Sequence, residues 1–196
     1  RTLLAKETFP DVKELTPLQD RTYDVVLLGS TGFTGGIAAK YIAQQYGNKE
    51  LKWAIAGRSQ AKLDKLKSEL ESLHKGSKVD TILVDTSKPS TLHALVKDTR
   101  AVITTAGPFC KYGSNVVAFC ANYGTNYVDI TGETGWNKEM MMEYEDVAKK
   151  TGAKIVSFCG CDSIPWDMTV YKIRQLMREE CKDTVSEVKC YNNLKR

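Results

Sequence analysis

From Tyr23 onward the chain alternates short apolar runs with longer amphipathic ones. The short runs occupy residues 23–28 (YDVVLL), 51–56 (LKWAIA), 81–84 (TILV), 101–105 (AVITT), 126–130 (NYVDI) and 154–158 (KIVSF). Each is of strand length and rich in Val, Ile, Leu or aromatic side chains. Helical spacing covers about 36–46, 60–74, 89–97, 115–123 and 137–150 between them. In the second of these Leu63, Leu66, Leu70 and Leu73 recur at three- and four-residue intervals, the apolar stripe of a helix lying on a sheet. Its opposite face carries Lys62, Asp64, Lys65, Lys67, Glu69 and Glu71, a solvated surface.

Strands separated by helices require right-handed crossovers, which build a doubly wound parallel sheet of the α/β class. Gly29, Gly57, Asp85, Gly107 and Gly132 follow the strands. They mark the loops at the carboxyl edge, where such folds bind ligands, although tight turns alone also favour these residues.

Composition then removes other classes. The 196 residues are 42% hydrophobic and 27% charged, ordinary for a soluble globular protein. A chain of this size buries roughly 70% of its unfolded surface, enough for one core without metal or disulfide staples. The expectation is one domain, with a piece of a second. Net charge is +4, from 28 Lys+Arg against 24 Asp+Glu, with the signs interleaved rather than gathered into a basic stripe, so no nucleic-acid partner is expected. Cys110, Cys120, Cys159, Cys161, Cys181 and Cys190 read as reduced thiols of a reducing intracellular compartment, cytoplasmic or organellar. No CxxC or paired Cys/His spacing suggests a metal site. No apolar run approaches the roughly 18 residues that span a bilayer. The first 20 residues, starting at Arg1, lack clear periodicity and read as a tail or as the mature end left after processing.

The first loop carries the chemistry. Gly29-Ser30-Thr31-Gly32-Phe33-Thr34-Gly35-Gly36 lies between a strand and a helix, the context that turns a glycine triplet into a dinucleotide fingerprint, here spaced GxxGxxG. Gly29 suits the tight turn, Gly32 the close approach of a pyrophosphate, and Gly35 the packing of helix on strand. The helix N-terminus supplies donors and roughly half a positive charge. NAD binders place a carboxylate about 20 residues further on, at the end of the second strand. Here that strand runs into Arg58 and Ser59, whose guanidinium and hydroxyl fit the 2′-phosphate of NADP. Asp85 ends the third strand, where it either meets an adenine edge or caps the next helix. Ala106, Gly107 and Pro108 follow the fourth strand and stiffen a loop near the nicotinamide half. Asp129 and Glu133 flank the fifth-strand loop, as proton-transfer groups or as turn caps.

Other chemistries lack their residues. No GxSxG, HExxH or P-loop lysine occurs, no lysine stands four residues after Tyr41, Tyr112, Tyr127, Tyr144 or Tyr171, and the two histidines, His74 and His93, fall inside helical stretches as packing or surface residues.

The strings VVLLGSTGFTGG (25–36), AIAGRSQAKLDKL (54–66), TTAGPFCKYGSNVVAFCANYGTNYVDITGE (104–133) and CGCDSIPWD (159–167) resemble saccharopine dehydrogenase-like oxidoreductases, in the branch that includes trans-acting enoyl reductases. The resemblance spans about residues 23 to 170. It implies a Rossmann-type NADP domain over 21–158, preceded by an extension at 1–20. Over 159–196 it implies the start of a second α+β domain for substrate binding and dimerisation. It also implies hydride transfer to an enoyl or imine-like substrate, lipid-like in the enoyl reductase branch. Glu133 and Asp162 are the candidates for catalytic acid. Cys161 stands where the family has Phe or a small residue. Family members run longer, so the chain is expected to be a fragment or to have lost activity. A helix near 167–180 and a strand near 185–191 would open the second domain. The alternative function is a non-catalytic NADP-binding accessory subunit of a larger, organellar complex, with Val185, Val188 and Tyr191 as a partner surface.

Overall fold

A computed structural model of the chain describes residues 7–47, 50–73 and 78–191. Its strands are β1 (Tyr23–Leu28), β2 (Trp53–Gly57), β3 (Asp80–Leu83), β4 (Thr99–Thr104), β5 (Asn126–Asp129) and β6 (Ile155–Val156). They form one parallel sheet in the order β3-β2-β1-β4-β5-β6. The chain winds outward from β1 to β3, then returns to place β4 on the other side of β1. That reversal between β1 and β4 opens a crevice at the carboxyl ends of both strands.

The helices are α1 (Phe33–Tyr46), α2 (Gln60–Leu73), α3 (Pro89–Lys97), α4 (Phe109–Tyr112), α5 (Ser114–Tyr123), α6 (Thr134–Thr151) and α7 (Ile164–Glu179). Successive strand side chains point to opposite faces, and both faces are covered. Leu27, Trp53 and Ile55 pack with Ala39 and Ala43 of α1 and with Leu63, Leu66 and Leu70 of α2. Val26, Leu28, Ala54 and Ala56 join Leu92, Leu95 and Val96 of α3, Val116, Val117 and Phe119 of α5, and Trp136 and Met140 of α6. The stripe on α2 is buried through Leu70, and Leu73, the last described residue of the helix, is 48% exposed. His74 lies outside the described residues.

Three elements depart from the periodicity. The four-residue helix α4 is too short to show a repeat, and α6 starts at Thr134, in the loop that the pattern left open. Residues 185–191 form no strand, since no described neighbour offers them a ladder of hydrogen bonds. Helix α7 begins with Pro165 in its first turn and buries none of its residues; Ile164, Met168, Tyr171, Ile173 and Leu176 are all exposed. All six cysteines are free thiols.

Residues 7–20 lie against the domain rather than away from it. Phe9 sits edge-on to Phe119 at 5.1 Å, and Glu7 Oε2 meets His93 Nε2 at 3.0 Å. The Nδ1 of His93 meets the Tyr123 hydroxyl at 2.5 Å, so this histidine is a packing residue of α3. Arg21 is buried and its guanidinium donates to Thr16 O, Val96 O, Thr99 O, Thr125 Oγ1 and Tyr123 O at 2.6–3.3 Å. One side chain thereby joins the N-terminal segment to the C-terminal ends of α3 and α5 and to the start of β4.

Candidate functional site

The glycine loop is built by close approach. Gly29 takes a left-handed φ of +83°, and a Cβ there would stand 2.8 Å from Ala106 N, so this loop packs on the one following β4. At Gly35 a Cβ would stand 2.2 Å from Gly29 O, and no side chain fits. Ser30 is buried and its hydroxyl donates to Ala56 O at 3.2 Å, which fixes the loop to β2. Gly32 occupies the N-cap of α1, and no side chain caps that helix. The first-turn N–H groups of an α-helix have no intrahelical partner.

A recess of about 230 Å³ opens at this point, lined by Gly29, Thr31, Gly32, Gly57, Arg58, Val84, Thr86, Thr105, Ala106, Gly107 and Tyr112, with Leu28 at its floor. The loops after β1, β2, β3 and β4 thus meet, and six of the sequence-derived residues line one wall or another. Thr105 braces the seam: its N–H donates to Leu28 O at 2.9 Å and its hydroxyl to Gly29 O at 3.3 Å. Arg58 is exposed, with its guanidinium carbon 5.5 Å from the ring centre of Tyr112. Ser59 lies outside the lining; its carbonyl accepts from Leu63 N in the first turn of α2. A glycine cradle that any Cβ would fill, an uncapped helix and a cation in place of a carboxylate fit a 2′-phosphorylated dinucleotide.

The remaining candidates divide. Asp85 accepts from the hydroxyl of Ser87 at 2.7 Å and from its N–H at 3.0 Å. The Ser87 hydroxyl, then its N–H, then the Lys88 and Arg58 charges hold this carboxyl below its ordinary range. Its neighbours Val84 and Thr86 line the recess instead. Pro108 is the N-cap of α4. Phe33 is 87% exposed at the start of α1 and is not among the residues that line the recess.

Glu133 and Asp162 stand apart. The Glu133 carboxylate accepts from Phe109 N at 2.6 Å and from Cys110 N at 2.8 Å, clamping the first turn of α4. The Cys110 thiol, then the Cys110 N–H, hold Glu133 below the usual carboxylate range, and the same contact pushes the thiol up. Asp162 lines a second recess of about 250 Å³ with Thr34, Ile130, Thr131, Gly132, Gly160, Cys161 and Ser163. Through Thr34 this recess adjoins the first turn of α1.

Asp129 is a node rather than a crevice group. It is buried, accepts from Tyr127 Oη at 2.7 Å, Thr131 N at 3.1 Å, Ser157 Oγ at 3.2 Å and Phe158 N at 3.2 Å, and so joins the loops after β5 and β6. Tyr112, Thr86 and Thr105 are site residues that sequence reasoning passes over. Thr105 and Thr86 stand one and three residues beyond a strand end and Tyr112 closes the short helix α4, and none carries a spacing signal of its own.

Comparison with known proteins places these features in context. A family model described as the saccharopine dehydrogenase NADP binding domain matches residues 25–156. A trans-acting enoyl reductase of Mycobacterium tuberculosis is 38% identical over 169 residues, covering 86% of this chain and 39% of the relative. A trans-acting enoyl reductase of Mycobacterium ulcerans is 36% identical over 168 residues, covering 86% and 38%. The chain thus spans about two fifths of the length of the curated relatives it matches. Among solved structures, apo saccharopine dehydrogenase (L-Glu forming) from Saccharomyces cerevisiae superposes with a TM-score of 0.61 at 24% identity, over 80% of this chain and 32% of that one. A Citrobacter sp. triphenylmethane reductase complexed with NADP(H) superposes at 0.50 with 14% identity, over 68% and 48%. These two likenesses concern the fold.

Proposed function

Because the chain belongs to the saccharopine dehydrogenase NADP-binding domain family, matched over residues 25–156, we propose that its β1–β4 recess is the NADP(H) site of a reductase acting on an activated double bond. NADP(H) is the cofactor of this domain. The observation that carries the assignment of residues is the meeting of the glycine cradle with Arg58 in one recess.

Gly29, Gly32 and Gly35 keep side chains out of the pyrophosphate position, Ser30 holds the loop to β2, and Thr31, Phe33 and Thr34 supply backbone and hydroxyl donors around the start of α1. Arg58, helped by Ser59, pairs with the 2′-phosphate. Ala106, Gly107 and Pro108 shape the opposite wall, and Asp85 sets the β3 loop through Ser87. When bound, the cofactor supplies the hydride. The chain's own part is to orient it and to keep the reacting face dry.

The second recess adjoins α1 through Thr34, so the substrate end belongs there, with Asp162 as the group able to hold or move a proton. Glu133, its oxygens engaged by two backbone N–H groups, serves that end as a brace. The relatives named trans-acting enoyl reductase favour a carbon–carbon double bond as acceptor.

Titration of NADPH and NADH against the wild type and Arg58→Asp tests the cofactor site. The variant is expected to weaken NADPH by more than about tenfold, roughly 1.4 kcal/mol, while sparing NADH. Equal loss of both, or of neither, overturns the 2′-phosphate assignment. NADPH oxidation by the full protein with enoyl and imine substrates tests the reaction, and turnover of neither class sinks it.

A further inference from the structure

Two cations converge on one aromatic ring at the edge of the recess. The Arg58 guanidinium lies 5.5 Å from the ring centre of Tyr112, and the Lys111 ammonium lies 5.4 Å from the same centre. Neither takes part in a salt bridge among the described residues. Tyr112 lines the recess while Lys111 and Arg58 are exposed, so the ring is the fixed member of the trio.

That ring is pinned from both sides along the chain. Upstream, Glu133 holds the N–H groups of Phe109 and Cys110. Downstream, a Cβ on Gly113 would stand 2.7 Å from the Trp136 ring, and Trp136 Nε1 donates to Ser114 Oγ at 2.9 Å. Helix α4 therefore presents Tyr112 to the recess in a position set by the first turn of α6.

We propose that Tyr112 is the specificity-determining residue of this site, holding Arg58 in place over its ring, and that Lys111 is the second cation for the 2′-phosphate. The inference rests on the NADP(H) reading of the recess. An exposed arginine samples many rotamers, and a ring beneath it narrows them before a ligand arrives. The phosphate dianion then meets two cations held near one ring, whereas NADH has nothing to offer them. The Tyr112 hydroxyl makes no hydrogen bond among the described residues, so the ring alone carries the effect.

The test is titration of NADPH and NADH, by fluorescence, against the full chain and its Tyr112→Leu, Tyr112→Phe, Lys111→Met and Arg58→Asp variants. Tyr112→Leu is expected to weaken NADPH about fivefold and leave NADH within about twofold. Tyr112→Phe restores wild-type preference, and Lys111→Met weakens NADPH alone by about tenfold. Melting temperatures identify a variant that fails to fold, and Lys111→Met tests the surface independently of the ring. Wild-type affinity for NADPH in both Tyr112→Leu and Lys111→Met, or equal loss of both nucleotides, overturns the inference. If Arg58→Asp alone selectively loses NADPH, this inference falls while the cofactor reading stands. If the wild type does not prefer NADPH, both fall together.

Discussion

At the scale of single residues, the glycine loop and Glu133 make opposite kinds of prediction. Gly35→Ala drives a methyl group onto Gly29 O, at an unrelaxed separation of 2.2 Å. The helix must move away from the strand, at a cost of about 1–3 kcal/mol. A lower melting temperature together with weakened NADPH binding is expected in calorimetry and titration. Glu133→Gln instead exchanges a carboxylate for an amide with one acceptor oxygen, leaving either the Phe109 or the Cys110 N–H facing an NH2 group. Because the folded state holds the Glu133 carboxyl low, its stabilising effect is present above the unfolded value near 4.3 and is lost as pH falls through the lower folded value. The melting-temperature deficit of Glu133→Gln relative to wild type is therefore expected at pH 7 and shrinks towards pH 3. A deficit that stays constant across that range would remove the carboxylate from the account. Sequence reading placed Glu133 by the crevice with a cap as its alternative role. Its partners Phe109 and Cys110 lie more than 20 positions upstream, beyond any local spacing rule.

At the scale of elements, strands and long helices were legible and short connectors were not. The runs 23–28 and 89–97 coincide with β1 and α3 because alternation, flanking glycines and Pro89 all agree on the same boundaries. Helix α4 has too few residues for a period, and its existence depends on the Glu133 clamp and on Trp136. The segment before Tyr23 looked like a tail for a similar reason: its order comes from Arg21, whose partners include Thr125, 104 positions away. Replacing Arg21 by Met removes its donors from four carbonyls and one hydroxyl, and a loss of about 3 kcal/mol is expected in urea unfolding. Removal of residues 1–20 is expected to lower the midpoint as well, since Phe9 and Glu7 then leave Phe119 and His93 exposed. A truncated chain as stable as the intact one would return that segment to the status of a tail.

At the scale of the whole molecule, stability and chemistry occupy opposite edges of the sheet. The carboxyl edge carries both recesses and the loops that form them. The amino edge carries the Arg21 hub, which grips the start of β4 and the turn before β5. Hydrogen exchange should follow the same geometry, with the central β1 and β4 amides slowest and α7, which buries nothing, among the fastest. Protection of α7 equal to that of β1 would contradict its bare apolar face. The doubly wound order was readable from the alternation of strand and helix. The bareness of α7 was not, because amphipathic spacing says which face is apolar and nothing about what covers it. The Arg21 hub has a consequence for heredity. A missense change there is expected to lower abundance through degradation while leaving nucleotide binding by the folded molecules unchanged. Under the proposed cofactor role, a change at Arg58 is expected to leave abundance intact and to weaken nucleotide binding. Paired measurements of abundance and activity across a variant library should sort the two edges into separate phenotypes.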